Sequence, residues 1–123
     1  MKKESYLQAR TPRYIQPCIL LLLFHNKSYG YALIENLKKR AFIETNPDPG
    51  IVYRVLRKFE KDGLVVSEWQ NSGKGPAKRL YQLTPFGEKA LKEWGAMIRT
   101  KIETLKNFLG AFDKTVIDKR VKK

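Results

Sequence analysis

Tyr53, Arg54, Arg57, Lys58 and Lys61 crowd one short stretch of the chain, and the residues between them, Glu60 apart, are apolar. Val52, Val55, Leu56 and Phe59 fall at i, i+3, i+4 and i+7, the spacing of a single stripe along a helix. The polar set must then face the other way. That face has the chemistry to grip a polyanion. A planar guanidinium takes the O6 and N7 of guanine in two places, so Arg54 and Arg57 are candidates for base edges, while Tyr53, Lys58 and Lys61 suit phosphate oxygens. Gly50, just before the stripe, lets a helix start and its free amides come close to phosphate. The plainer alternative for the same residues is an ordinary solvated helix face.

A second basic group lies in the stretch SGKGPAKRLYQLT, residues 72–84. Lys74, Lys78 and Arg79 can neutralise phosphates or enter a minor groove, Gly73 and Gly75 leave room for close approach, and Pro76 stiffens the return. Arg79 alternates to the opposite side of its strand from Lys78, which makes it the weakest of the three. A third group, Ser28, Tyr29 and Tyr31, offers hydroxyl donors to backbone phosphate; Tyr31 could equally pack inside.

The whole chain agrees with this chemistry. Its 123 residues fit one domain, and 25 Lys plus Arg against 12 Asp plus Glu give a net charge of +13, which calls for a polyanionic partner or an anionic surface. Cys18 is the single cysteine, which excludes an internal disulfide and a cysteine-cluster zinc site. His25 is the single histidine, with no second nitrogen or thiolate placed to join it on a metal. No glycine-rich phosphate loop, no Ser, His and acid set and no carboxylate pair in an apolar context is present, so the expectation is no enzyme and no cofactor. The apolar run Cys18 to Phe24 is too short to span a membrane and lacks a cleavage site beyond it, so a cytoplasmic protein is expected.

The elements that must position these groups can be read from periodicity and punctuation. Residues 1–12 form a charged arm without periodicity. A helix apolar on most sides is expected over Ile15 to Phe24, and a second one, capped by Ser28, carries Leu33, Ile34 and Leu37 and ends in Lys38, Lys39 and Arg40. After a turn through Pro47, Asp48 and Pro49 comes the stripe helix, closed by Asp62 and Gly63. Leu64 to Gln70 and Arg79 to Leu83 read as two strands of a hairpin whose tip holds the second basic group.

Thr84 caps the last helix, with Pro85 at its first position. Along that helix Leu91, Ile98, Leu105 and Phe112 recur every seven residues, joined by Trp94, Phe108, Ile102 and Leu109. So long an apolar row needs a second copy of the helix to cover it, although Lys101 interrupts the seam. The expected fold is mainly α with a two-stranded β-hairpin: a winged helix-turn-helix domain over residues 13–84, a dimerisation helix over 85–112, and a basic disordered tail over 113–123.

Three stretches in this order resemble the PadR family of transcriptional regulators: YGYALI at 29–34, DPGIVYRVLRKFEKDGLV at 48–65, and GPAKRLYQLTPFG at 75–87. The resemblance runs from about Pro17 to Phe112 and is closest to the short subgroup with a single C-terminal helix. The apolar opening at Pro17 to Leu23 and the Ser-Glu-Trp at 67–69 are further similar to PadR-like repressors described as responsive to polyhydroxybutyrate. The chain departs from many members in having Ile51 after Gly50 and Arg54 after Tyr53. It therefore need not read the same operator as they do.

The resemblance implies a homodimeric repressor that binds double-stranded DNA, with Tyr29 among its phosphate contacts. It also makes Trp94 and Ile98 candidate contacts for a small hydrophobic or aromatic effector, since a tryptophan on this helix stacks on flat ligands in some short members. The alternative is a winged-helix module that binds proteins, or nucleic acid without sequence preference. The last helix separates assembly from the rest: a fragment ending near Pro85 should sediment as a monomer in analytical ultracentrifugation, and a persisting dimer would contradict the role given to that helix.

Overall fold

The computed structural model describes residues 14–40, 48–71, 73 and 75–118. The N-terminal arm, most of the turn before the stripe helix, and Lys74 lie outside them. Helix α1 (Ile15–His25) is buried along most of its surface, through Ile15, Pro17, Cys18, Ile19, Leu20, Leu22 and Leu23. Such a helix has to sit at the centre, and the others pack around it. Helix α2 (Gly30–Arg40) contributes Leu33, Ile34 and Leu37, and α3 (Pro49–Lys61) contributes Val52, Val55, Leu56 and Phe59. Val65 and Tyr81 of the sheet complete this core. Burial pushes the Cys18 thiol above its ordinary pKa, so the sulfur is an inert core atom.

The sheet has three antiparallel strands in the order β1-β3-β2. Strands β2 (Val65–Gln70) and β3 (Lys78–Leu83) form the expected hairpin, in a register running from Val65 opposite Leu83 to Gln70 opposite Lys78. A third strand that was not expected, β1 (Ser28–Tyr29), joins this hairpin. It pairs Ser28 with Tyr81 and Tyr29 with Leu80, covering the free edge of β3. Ser28 is accordingly a strand residue, not the cap of α2, which begins at Gly30. Its hydroxyl donates to the Tyr29 carbonyl at 3.1 Å.

Helix α3 ends as its last residues demand. Gly63 takes φ 85°, the Gly63 amide donates to the Glu60 carbonyl at 3.2 Å, and the Leu64 amide donates to the Phe59 carbonyl at 2.8 Å. This pair of bonds is the Schellman stop. Thr84 then joins the turn to the next helix, α4 (Pro85–Phe112). Its hydroxyl donates to the Gly63 carbonyl at 2.7 Å and accepts from the Gly87 amide at 3.0 Å. Gly87 is buried, and a Cβ there would collide with the Leu64 carbonyl oxygen and stand 2.6 Å from Leu83 Cδ1.

The chain divides into two compact units, Met1–Leu91 and Lys92–Lys123. Beyond α4 the backbone continues as a π-helical turn over Asp113–Ile117, the first part of the tail 113–123 whose charge suggested disorder; residues 119–123 of that tail lie outside the described residues. Val116 stands four residues after Phe112, itself four after Phe108, so the apolar row carries the helix on.

Thr84→Ala should lower unfolding stability by about 1–2 kcal/mol through loss of the cap. Gly87→Ala should lower the urea midpoint further, because backbone must move to admit the methyl group. An unchanged midpoint in either variant would contradict this reading of the junction.

Candidate nucleic-acid interface

Burial of the α3 stripe leaves Tyr53, Arg54, Arg57, Lys58 and Lys61 all exposed on the outer side of that helix. Lys58 is drawn toward Asp62, with Nζ 3.0 Å from Oδ2 one turn on. Exposed pairs of this kind are worth about 0.3–0.5 kcal/mol on a helix, so a stronger anion can displace the carboxylate. Gly50 is exposed at the helix start, where Asp48 is the cap residue but makes no side-chain capping bond. The Asp48 carboxylate stands beside Gly50, 3.4 Å from where a Cβ would be, so any anion arriving at the first-turn amides meets a negative charge.

At the start of α2, the rings of Tyr29 and Tyr31 stack with centroids 5.7 Å apart and planes 8° from parallel. Lys78 from the wing holds its ammonium 5.0 Å from the Tyr31 centroid and 6.0 Å from that of Tyr29. Tyr31 is 52% exposed, which decides against packing inside. Tyr53 reaches from α3 across Gly30, where any Cβ would collide with its ring. Glycine at position 30 is thus what lets α3 and the start of α2 approach this closely.

Arg79 is placed differently from Lys78. It is half-buried, its guanidinium lies 4.9 Å from the ring centroid of its cross-strand partner Trp69, and its Nε is buried without a hydrogen-bond partner. Beneath it, burial raises the pKa of Tyr81, offset in part by the charge of Arg79 and reinforced by Glu60 and Tyr53. The Ser67 hydroxyl donates to Glu60 Oε2 at 2.7 Å and so ties β2 to α3. Tyr29, Gly30, Tyr31, Tyr53, Trp69, Ala77, Lys78, Arg79 and Tyr81 enclose an open cavity of about 310 Å³.

The structure therefore gathers Tyr29, Tyr53, Lys78 and Arg79 around one hollow and leaves Arg54, Arg57, Lys58 and Lys61 along the outer side of α3. Ser28 is half-buried, with its hydroxyl bonded to backbone. Lys74 lies outside the described residues. Two participants escaped the sequence reading. Gly30 is needed for close approach, and Trp69 is 62% exposed although its type suggested only a strand residue.

On α4, Leu91, Trp94 and Ile98 are half-buried, while Ile102, Leu105, Phe108, Leu109 and Phe112 are exposed. Phe108 and Phe112 stack on each other at 6.0 Å. Among the described residues, Gly87 is the only buried residue of α4. An apolar row of this extent is the mark of an interaction surface. No group of His, Cys, Asp and Glu among the described residues could hold a metal ion, and no helix among them is long and apolar enough to cross a membrane.

Comparison with known proteins gives concordant results. The model of the transcriptional regulator PadR-like family matches residues 19–93. A transcriptional regulator of Mycobacterium tuberculosis, Rv3488, is 38% identical over 68 residues, which cover 55% of this chain and 60% of that protein. The chain thus spans under two thirds of that relative's length. Among solved structures, a PadR-like transcription factor from Bacteroides fragilis superposes with a TM-score of 0.67 at 32% identity, covering 76% of this chain and 88% of the other. Bacillus subtilis PadR in complex with operator DNA superposes with a TM-score of 0.61 at 24% identity, covering 67% of this chain and 46% of the other. That last likeness is one of fold.

The bond from Ser67 to Glu60 fixes the wing against α3. Ser67→Ala should lower stability by about 1.5–3 kcal/mol, the usual worth of a hydrogen bond to a charged group. Urea unfolding with an unaltered midpoint would show that the bond does not hold the two elements together.

Proposed function

The chain belongs to the PadR-like family of transcriptional regulators, and on that premise we propose that it is a homodimeric, sequence-specific DNA-binding repressor. The observation that carries this reading is the exposure of Arg54, Arg57 and Lys61 opposite the buried stripe of α3. In a winged helix-turn-helix this is the side that enters the major groove. Arg54 and Arg57 read base edges, and Tyr53, Lys58 and Lys61 hold phosphates. Ser28 and Tyr29 add backbone contacts, as does Gly50 once the Asp48 carboxylate swings aside, and Lys74 and Lys78 bring the wing onto the backbone or minor groove, with Arg79 packed against Trp69. Operator DNA in the complex of the Bacillus subtilis relative supports the same use of the fold.

Two chains are needed because the row from Leu91 to Phe112 lies largely open on one chain. Pairing α4 with its copy covers Leu91, Trp94, Ile98, Ile102, Leu105, Phe108, Leu109 and Phe112. It also sets two copies of α3 about one helical turn apart on a pseudo-palindrome. A small hydrophobic or aromatic effector bound at Trp94 and Ile98 would act by preferring one spacing of the two wings, and must bind the two states unequally. Such a protein works in the cytoplasm, where the chromosome is, and represses by occupying a promoter.

Selection of bound duplexes from a random pool tests the reading. A consensus with two related half-sites is expected. On that site Arg57→Ala should cost about 1–3 kcal/mol and relax preference at one position, whereas Lys74→Ala should weaken all sequences alike and reduce the salt slope by about one. No enrichment, with equal affinity for every duplex, would favour a non-specific winged-helix module instead.

A further inference from the structure

Trp69 presents a large aromatic ring to solvent, 62% exposed, near the end of β2. An exposed indole of this kind invites a partner. One face is already covered: Arg79, opposite it in the ladder, lies 4.9 Å from the ring centroid. Arg79 keeps that place although its Nε is buried without a hydrogen-bond partner. The guanidinium also hydrogen-bonds the buried Tyr81 side chain, so it is held between the core phenol and the indole it covers. The ring borders the open cavity that also touches Tyr31, Tyr53 and Lys78. The cavity therefore offers one apolar face, phenol groups and an exposed ammonium side by side. A sugar-phosphate unit has the matching parts, an apolar ring edge next to an anion.

Building on the DNA-binding reading, we propose that this cavity seats one deoxyribose-phosphate of the duplex backbone between α3 and the wing. Trp69 packs on the sugar, Lys78 takes the phosphate, and Arg79 is a positioning residue for the indole rather than a phosphate contact. The net charge of +13 and the cations along α3 supply the attraction that brings the backbone here.

The test uses the full chain and a duplex recovered by selection. Trp69→Ala should bind about tenfold more weakly, as a central aromatic contact does, with an unchanged salt slope because no charge is lost. Lys78→Ala should lower that slope by about one. Arg79→Lys keeps the charge but not the planar stack, so it should weaken binding, and combining it with Trp69→Ala should add little. Acrylamide quenching of tryptophan fluorescence should fall when DNA is added to the unmodified protein. That fall should vanish in Trp69→Phe, which keeps an aromatic ring and serves if the alanine variant does not fold. Undiminished affinity of Trp69→Ala, or the same DNA-induced change in Trp69→Phe, would overturn the proposal while leaving DNA binding intact. Failure of the unmodified protein to bind any selected duplex would overturn both.

Discussion

Burial of Val52, Val55, Leu56 and Phe59 fixes how α3 is turned about its own axis. At 3.6 residues per turn, nothing else on that helix is then free to choose its side. Arg54 and Arg57 must stand outside, in line with Lys61, and the stripe would have to leave the core before they could turn inward. The cost of exposing such a stripe is large: each buried aliphatic or Phe side chain contributes about 1.5–3 kcal/mol. Apart from the weak pair of Lys58 with Asp62, the cations take no part in holding the helix. They can change without endangering the scaffold.

Holding one helix is not enough, because a wing has to meet the same duplex at a set distance. Here the connection between them is short and fully bonded. Gly63 turns the chain, Thr84 ties that turn to the start of α4, and Ser67 bonds to Glu60 across the helix-sheet boundary. Gly30 admits the Tyr53 ring, which joins α3 to the start of α2. These contacts lie away from the exposed cations, so stability and DNA contact rest mostly on different residues. Tyr53 is the side chain in which the two overlap, since it joins the helices and lines the hollow, and Arg79 stands by it, paired with Trp69 and close to buried Tyr81.

Much of this was legible from the chain because the signals are local. The stripe of α3 is a complete amphipathic period, and Gly63, Pro85 and the capping bond of Thr84 to Gly87 act within a few residues of themselves. The strand at Ser28 was not legible, since a two-residue strand has no period and exists only because β3 offers an open edge. Nor was the pairing of Trp69 with Arg79: alternation assigns faces along one strand but does not fix register across a glycine-rich tip. The turn at Asp113 was hidden by the surrounding charge, which outweighed the row from Phe108 through Phe112 to Val116.

A reading face on α3 and a pairing surface on α4 belong to one chain, and the duplex is where both are measured together. Hydroxyl-radical footprinting on a selected site reports that geometry at single-nucleotide resolution. Paired chains with α3 in successive major grooves predict two protected patches on the same side of the duplex, centred about one helical turn apart. A single protected patch, or protection running evenly around the helix, would contradict the account.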